Sequence, residues 1–162
     1  MAGVKSVDEL TQQFRANGLK VTPQRQSIFR AVSGSAAHPT AESVYAAVSA
    51  EMPTISLRTV YQTLNDLAAM GELHALDIGT GSTRFDPNLE PHHHLVCLDC
   101  GRIADVHGLL PGIAAPMDDE ADGFEIITTE IIFRGRCATC RTAGTPSQPV
   151  PSQHQGGAPA HG

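Results

Sequence analysis

The chain has 162 residues, enough for one compact domain or two small ones, and is 41% hydrophobic but only 4% aromatic. No apolar run approaches the roughly 18 residues that cross a bilayer, which excludes an integral membrane protein, and the first residues lack a signal-peptide pattern, so a cytoplasmic location is expected. What stands out is 8 His and 4 Cys in a chain of net charge −6, a combination that points toward metals.

Ser6-Val7-Asp8-Glu9 has the form of a capping box, in which the Ser and Glu side chains satisfy each other's orphan backbone donors. Thr22-Pro23 suits an N-cap followed by Pro at the first helical position, opening a helix that buries Ile28, Ala31 and Val32. Thr40 caps a third helix carrying Val44, Ala47 and Val48. Ser56 caps a fourth, on which Leu57, Val60, Leu64 and Leu67 share one face. Past Gly71 the period changes. Segments 74–78 and 83–85 flank Gly79-Thr80-Gly81-Ser82 and read as a β-hairpin, and Asp86-Pro87-Asn88 begins a hinge or loop. A second small unit follows, with a strand ending at Cys97, another over 102–106, a helical stretch near 109–117 and a β-branched strand over 125–133. Beyond Arg141 the chain has almost no large apolar residue and is expected to be disordered.

Three short helices followed by a hairpin predict a winged helix-turn-helix, hence an α+β fold. The fourth helix is then the recognition element, with Ser56, Arg58, Thr59, Tyr61, Gln62 and Asn65 on its outer side. Arg suits a guanine edge or a phosphate, Gln and Asn suit adenine, and hydroxyls suit phosphates. The same face also fits an ordinary amphipathic helix with a solvated polar side. Arg15, Lys20, Arg25 and Arg30 form a local basic strip with no acid among them. Residues 1–90 carry 7 basic and 9 acidic side chains and residues 91–162 carry 4 and 8, so most of the negative charge lies in the second half. Binding to DNA requires the basic strip to face the phosphates, and bound divalent cations would ease the repulsion.

The four cysteines fall in two pairs, Cys97-Leu98-Asp99-Cys100 and Cys137-Ala138-Thr139-Cys140. Four thiolates in a tetrahedron make a closed structural zinc site. Disulfides would need an oxidising compartment, and a thioredoxin-like pair would leave the second motif unexplained. On a strand, Pro91-His92-His93-His94 places His92 and His94 on one face and His93 on the other, which makes a metal half-site or a solvated His run. Asp105 follows on the next strand, within possible reach of that face. A zinc deaminase would need a Glu beside the ligands as general acid and base, and none is so placed. A zinc-stabilised interaction module without DNA binding is a further class, and it predicts no salt-dependent affinity for a duplex.

Several segments together carry a specific resemblance: Leu19-Lys20-Val21-Thr22-Pro23-Gln24-Arg25, Ala37-His38-Pro39-Thr40-Ala41, Arg58-Thr59-Val60-Tyr61-Gln62-Thr63-Leu64, and the run from His92 to Gly101, closed by Cys137 and Cys140. Over residues 7–141 the chain resembles the ferric uptake regulator family, dimeric metal-dependent transcription regulators. The resemblance implies a winged-helix DNA-binding domain over 1–86, a hinge at 87–91, a small α/β dimerisation and metal-binding domain over 92–141 and a tail over 142–162. It implies a homodimer on a double-stranded, palindromic DNA operator. Cys97, Cys100, Cys137 and Cys140 correspond to the structural Zn²⁺ ligands. His38, Asp86, His92, His94 and Asp105 fall on the five regulatory positions, a donor set suited to Fe²⁺ or Mn²⁺.

Asp at both carboxylate positions, Asp86 and Asp105, resembles the peroxide-sensing branch, in which a ligand His is oxidised; here that is His38 or His92. The iron-responsive branch has a further site using a His on the last strand, where this chain has Thr128 and Thr129. His93 and His107 are left as solvated histidines or donors of an extra site. The expectation is therefore a metal-dependent, peroxide-responsive transcriptional repressor and not an enzyme. The alternative is a repressor that reports iron, manganese, nickel or zinc levels without oxidation.

Overall fold

The computed structural model describes residues 5–33, 35, 37–79, 81–108, 123–127 and 129–144. Helix α1 spans Val7–Ala16 and starts where the capping box places it: the Ser6 amide donates to Glu9 Oε2 at 2.7 Å, and the Glu9 amide donates to the Ser6 hydroxyl at 3.3 Å. Helix α2 spans Pro23–Ser33. Helix α3 spans Ala41–Glu51 behind a reciprocal Thr40 and Ser43 cap, and α4 spans Leu57–Ala69 behind Ser56. Their apolar stripes meet in one core of Leu10, Phe14, Ile28, Phe29, Val32, Val44, Val48, Val60, Leu64 and Leu67. The Phe14 and Phe29 rings meet edge to face at 4.8 Å, the arrangement that suits their quadrupoles. Three positions expected inside differ. Ala47 is exposed because Val44 and Val48 already cover the inner side of α3, and Ala31 and Leu57 are half-buried.

Strands β1 (His74–Leu76) and β2 (Arg84–Asp86) form the antiparallel hairpin. Phe85 enters the helical core, and its amide donates to the Pro39 carbonyl at 2.9 Å, which stitches β2 to the loop before α3. Strand β3 (His93–Cys97) is the centre of a second sheet, with β4 (Ile103–Val106) antiparallel on one side and β5 (Ile132–Gly135) parallel on the other. Leu76 and Ile78 of the hairpin region pack with Val96 of β3 in a second cluster, so the hairpin touches both halves. A short helix, α5 (Ala138–Thr142), follows Cys137.

The strand expected over 125–133 lies instead at Ile132–Gly135. Phe124 and Ile127 are 78% and 90% exposed, so that part of the β-branched run gains no packed face, and pairing with β3 begins only at the Ile131 carbonyl. Helix α5 reaches Thr142, one residue into the stretch expected to be disordered. The helix expected near 109–117 and the tail from 145 onward lie outside the described residues. Among the described residues no helix is long and apolar enough to cross a membrane.

Candidate metal centres

The loop before α3 and the end of β2 are held together by hydrogen bonds, and the start of β3 meets them at one point. Beside the bond from Phe85 to Pro39, Arg84 Nη1 donates to the His38 carbonyl at 3.3 Å. His38 thus comes to lie next to Asp86. At the start of β3 the alternation of side chains brings His94 and His92, the residue just before the strand, to the same spot, while His93 turns away and its Nδ1 accepts the Ile131 amide at 3.3 Å. Asp105 lies directly across from His94 in the β3–β4 ladder, and cross-strand partners share a face.

The resulting cluster is buried and starved of partners. Asp86 Oδ2 lies 3.6 Å from His38 Nε2, 2.9 Å from His92 Nε2 and 3.4 Å from His94 Nε2. Asp105 Oδ1 lies 3.1 Å from His38 Nε2 and 3.7 Å from His92 Nε2. None of these five atoms has a hydrogen bond of acceptable alignment, although all are buried. Leaving so many buried polar atoms unpaired is costly, and a cation drawing on all their lone pairs removes the cost. His38, Asp86, His92 and His94 bring one donor atom each within 4.8 Å of one another, with Asp105 at the edge. Burial pushes the Asp86 carboxyl up, but nearby His38 and the Asn88 amide outweigh it and hold the group below the usual carboxylate range. Imidazole and carboxylate donors suit Fe²⁺ or Mn²⁺.

Two of the three imidazoles are oriented from behind. His92 Nδ1 is 2.6 Å from the Glu90 carbonyl, and His94 Nδ1 is 2.7 Å from Glu130 Oε1. Each contact puts the ring proton on Nδ1 and leaves Nε2 for the ion. Sequence reasoning missed both: a carbonyl carries no residue signal, and Glu130 comes from 36 positions away through the parallel β3–β5 pairing. His107 is exposed, with Nε2 3.9 Å from Asp105 Oδ2.

The thiol cluster is built differently. Cys97 ends β3, and the Gly101 amide donates to its carbonyl at 2.9 Å, closing a tight turn that carries Cys100. Gly101 has φ +70°, a left-handed conformation that side chains with a Cβ rarely adopt. Cys137 precedes α5, whose first turn carries Cys140, and the Cys137 amide donates to Cys97 Sγ at 3.3 Å. The four sulfurs lie within 4.8 Å of one another, and the 3.8 Å between Cys100 and Cys137 is far from a disulfide bond length. Backbone amides, that of Cys137 first, draw the Cys97 thiol down to about 6, while the Cys137 and Cys100 sulfurs push Cys140 up to about 12. Four sulfurs so close take on their full thiolate charge only around a divalent cation, and a closed set of four thiolates suits Zn²⁺. Arg136 backs the cluster, with Nε 2.5 Å from Asp99 Oδ2 and Nη2 donating to the Cys140 carbonyl at 3.0 Å.

On the helical half, Arg58, Tyr61, Gln62 and Asn65 of α4 are exposed, as are Arg15 and Lys20. Ser56 and Thr59 are engaged with each other at the N-cap, their hydroxyls 2.9 Å apart. Tyr61 donates its hydroxyl to Glu42 of α3, and Gln62 donates to Asp66 at 2.8 Å. Arg25 is half-buried. It donates to the Lys20 carbonyl at 2.7 Å, meets Asp66 at 3.3 Å and lies over the Phe14 ring, so it ties α2 to α4.

The model of the Ferric uptake regulator family matches residues 16–134. The chain is similar to the peroxide-responsive repressor PerR of Staphylococcus aureus strain Mu50, at 39% identity over 139 residues covering 83% of this chain and 91% of that protein. It is similar to the PerR of Staphylococcus epidermidis at 33% identity over 138 residues, covering 85% and 92%. Among solved structures it resembles the ferric uptake regulator from Francisella tularensis with iron, with a TM-score of 0.65, 27% identity and coverage of 76% and 96%.

Proposed function

The chain belongs to the ferric uptake regulator family and is a metal-dependent transcription regulator, not an enzyme; from that premise we propose that it represses genes until hydrogen peroxide destroys its regulatory clamp. The observation that carries the proposal is the set of buried, unpartnered donor atoms on His38, Asp86, His92, His94 and Asp105. They come from the helical half, the hairpin and the second sheet, so one ion held by all of them fixes the angle between the parts. We divide the chain accordingly into a DNA-binding domain over 1–86, a hinge at 87–91 and a dimerisation domain over 92–141. Arg58, Tyr61, Gln62 and Asn65 read the operator, with Ser56, Thr59, Arg15, Lys20 and Arg25 on or behind the phosphate-facing side. Leu95 and Phe133, exposed cross-strand neighbours on the second sheet, are an apolar face suited to a second copy of the chain, and a two-fold dimer fits a palindromic operator.

His38, Asp86, His92, His94 and Asp105 would hold a ferrous ion, which would supply the reducing chemistry that cleaves hydrogen peroxide beside them. The rings of His38 and His92 stand there as the oxidisable groups, each with Nε2 turned to the centre. The Glu90 carbonyl fixes the His92 ring, and Arg84 fixes the main chain at His38. Oxygen added to either imidazole removes a donor, and the helical half is no longer held to the sheet.

The test is anaerobic Fe²⁺ loading, a brief peroxide pulse and peptide mass spectrometry, with operator binding followed in parallel. The expected result is one added oxygen on the peptide of His38 or His92, loss of DNA binding, and no effect on the Mn²⁺ form. Unmodified peptides with binding that tracks only metal supply would make the protein a metal-level sensor.

A further inference from the structure

The three regulatory imidazoles differ in what stands behind them. His38 Nδ1 is buried with no partner, His92 Nδ1 meets a neutral carbonyl, and His94 Nδ1 meets the carboxylate of Glu130 at 2.7 Å. The His94 ring is nearly sealed at 2% exposure, and its Nε2 faces Asp86 without a hydrogen bond. Glu130 is placed by the sheet. The His94 amide donates to the Ile131 carbonyl at 3.0 Å, where the parallel β3–β5 pairing begins, and this sets the residue before Ile131 beside the ring. Its side chain is 40% exposed and lines a cleft of about 420 Å³ whose wall also includes His92, His94, Thr129 and His74.

We propose that Glu130 is a positioning residue for the regulatory ion: it accepts the Nδ1 proton of His94, fixes the tautomer that turns Nε2 to the centre, and makes His94 the strongest of the three imidazole donors. A carboxylate behind a ligating imidazole increases its basicity, and loss of such a partner typically costs about 10- to 100-fold in metal affinity. A neutral carbonyl does less, and an unpartnered nitrogen does nothing. The gradient across His94, His92 and His38 follows from those two contacts and from the absence of one behind His38. The cleft opens the outer side of the Glu130 carboxylate to solvent while its inner oxygen faces the ring. The proposal rests on the assignment of the His and Asp cluster as the regulatory metal centre.

The experiment uses the full-length, zinc-loaded protein with Glu130→Gln and Glu130→Leu variants. Mn²⁺ affinity is read by electron paramagnetic resonance and the His94 tautomer, in protein without regulatory metal, by nitrogen-15 chemical shifts. Gln keeps an acceptor for Nδ1 and loses the charge; Leu loses both. The expected order of Mn²⁺ affinity is wild type, then Gln, then Leu, with the Leu variant weaker by about tenfold or more. The Gln variant keeps the Nδ1–H tautomer and the Leu variant mixes in the other. Zinc content and melting temperature stay at wild-type values in both. A Leu variant with wild-type Mn²⁺ affinity and tautomer overturns the proposal while the metal centre stands. A loss of affinity matched by lost zinc or a lowered melting temperature overturns it too, since Glu130 is then only a folding residue. If wild type binds no Mn²⁺, or His38→Ala binds it equally well, the metal centre itself is misassigned and the proposal falls with it.

Discussion

Glu9 and Ser6 join a helix start to a titration. The Ser6 hydroxyl and amide hold the Glu9 carboxyl below its ordinary value of 4.5, and the same contacts satisfy orphan donors at the start of α1. A carboxyl whose folded value is depressed adds stability that is fully present above the ordinary value and is lost as pH falls through the folded one. Ser6→Ala should therefore return the Glu9 titration toward 4.5, observed by NMR, and lower stability at neutral pH by about 1 kcal/mol. It should cost less in acid, once pH has fallen through the lowered folded value and the wild-type carboxyl is itself protonated; an equal loss in acid and at neutral pH would contradict the linkage. This cap was legible in the sequence because all its partners lie within four residues. The Glu130 and Arg84 contacts were not, since each reaches across tens of positions to an atom that only the folded chain brings near.

Strand β2 is the element that touches both halves. Its middle residue, Phe85, is buried in the helical core, while Arg84 donates to the His38 and Gly101 carbonyls and Asp86 enters the metal cluster. Phe85→Ala should cost about 3–5 kcal/mol in thermal or denaturant unfolding, the range for a fully buried Phe. Because the cavity opens beneath a strand that carries a proposed ligand, Mn²⁺ affinity should fall in the same variant while the four-thiolate site, built from the end of β3, the turn after it and the start of α5, keeps its zinc. A Phe85→Leu substitution should lose less of both. The hairpin and the helix starts were readable from turn and cap residues. The last strand was placed too early because β-branching marks a residue that fits a pleated, half-buried surface, and Phe124 to Ile127 have none. The true pairing register depends on β3, which the local pattern of 125–133 does not contain.

At the scale of the whole molecule, the legible part was which side chains gather and the illegible part their depth. Spacing put His92 and His94 on one face, and the resemblance supplied His38, Asp86 and Asp105. That five of their donor atoms would be buried without partners follows only from how the loop before α3 is tied to β2 and how β4 registers on β3. The cluster therefore has unequal members. His38 is the only donor from the helical half ahead of the hairpin and is 2% exposed, whereas Asp105 lies at the edge with 22% exposure. An ion can shift the angle between the halves only by the difference in its affinity for the two arrangements, and without His38 that difference disappears. His38→Ala should thus abolish the Mn²⁺ stimulation of operator binding, expected in wild type within the usual coupling range of about 5- to 150-fold, while zinc content and melting temperature hold. Asp105→Ala should raise the Mn²⁺ concentration needed yet reach nearly the wild-type stimulation at saturation, because the tie from His38 to Asp86, His92 and His94 persists. Both titrations belong at one fixed salt concentration, since phosphate contacts make any DNA affinity fall with salt, and the chain's net charge of −6 steepens the demand on its few exposed basic residues. Equal behaviour of the two variants would mean that the ion closes the sheet alone, and that the angle between the halves is set elsewhere.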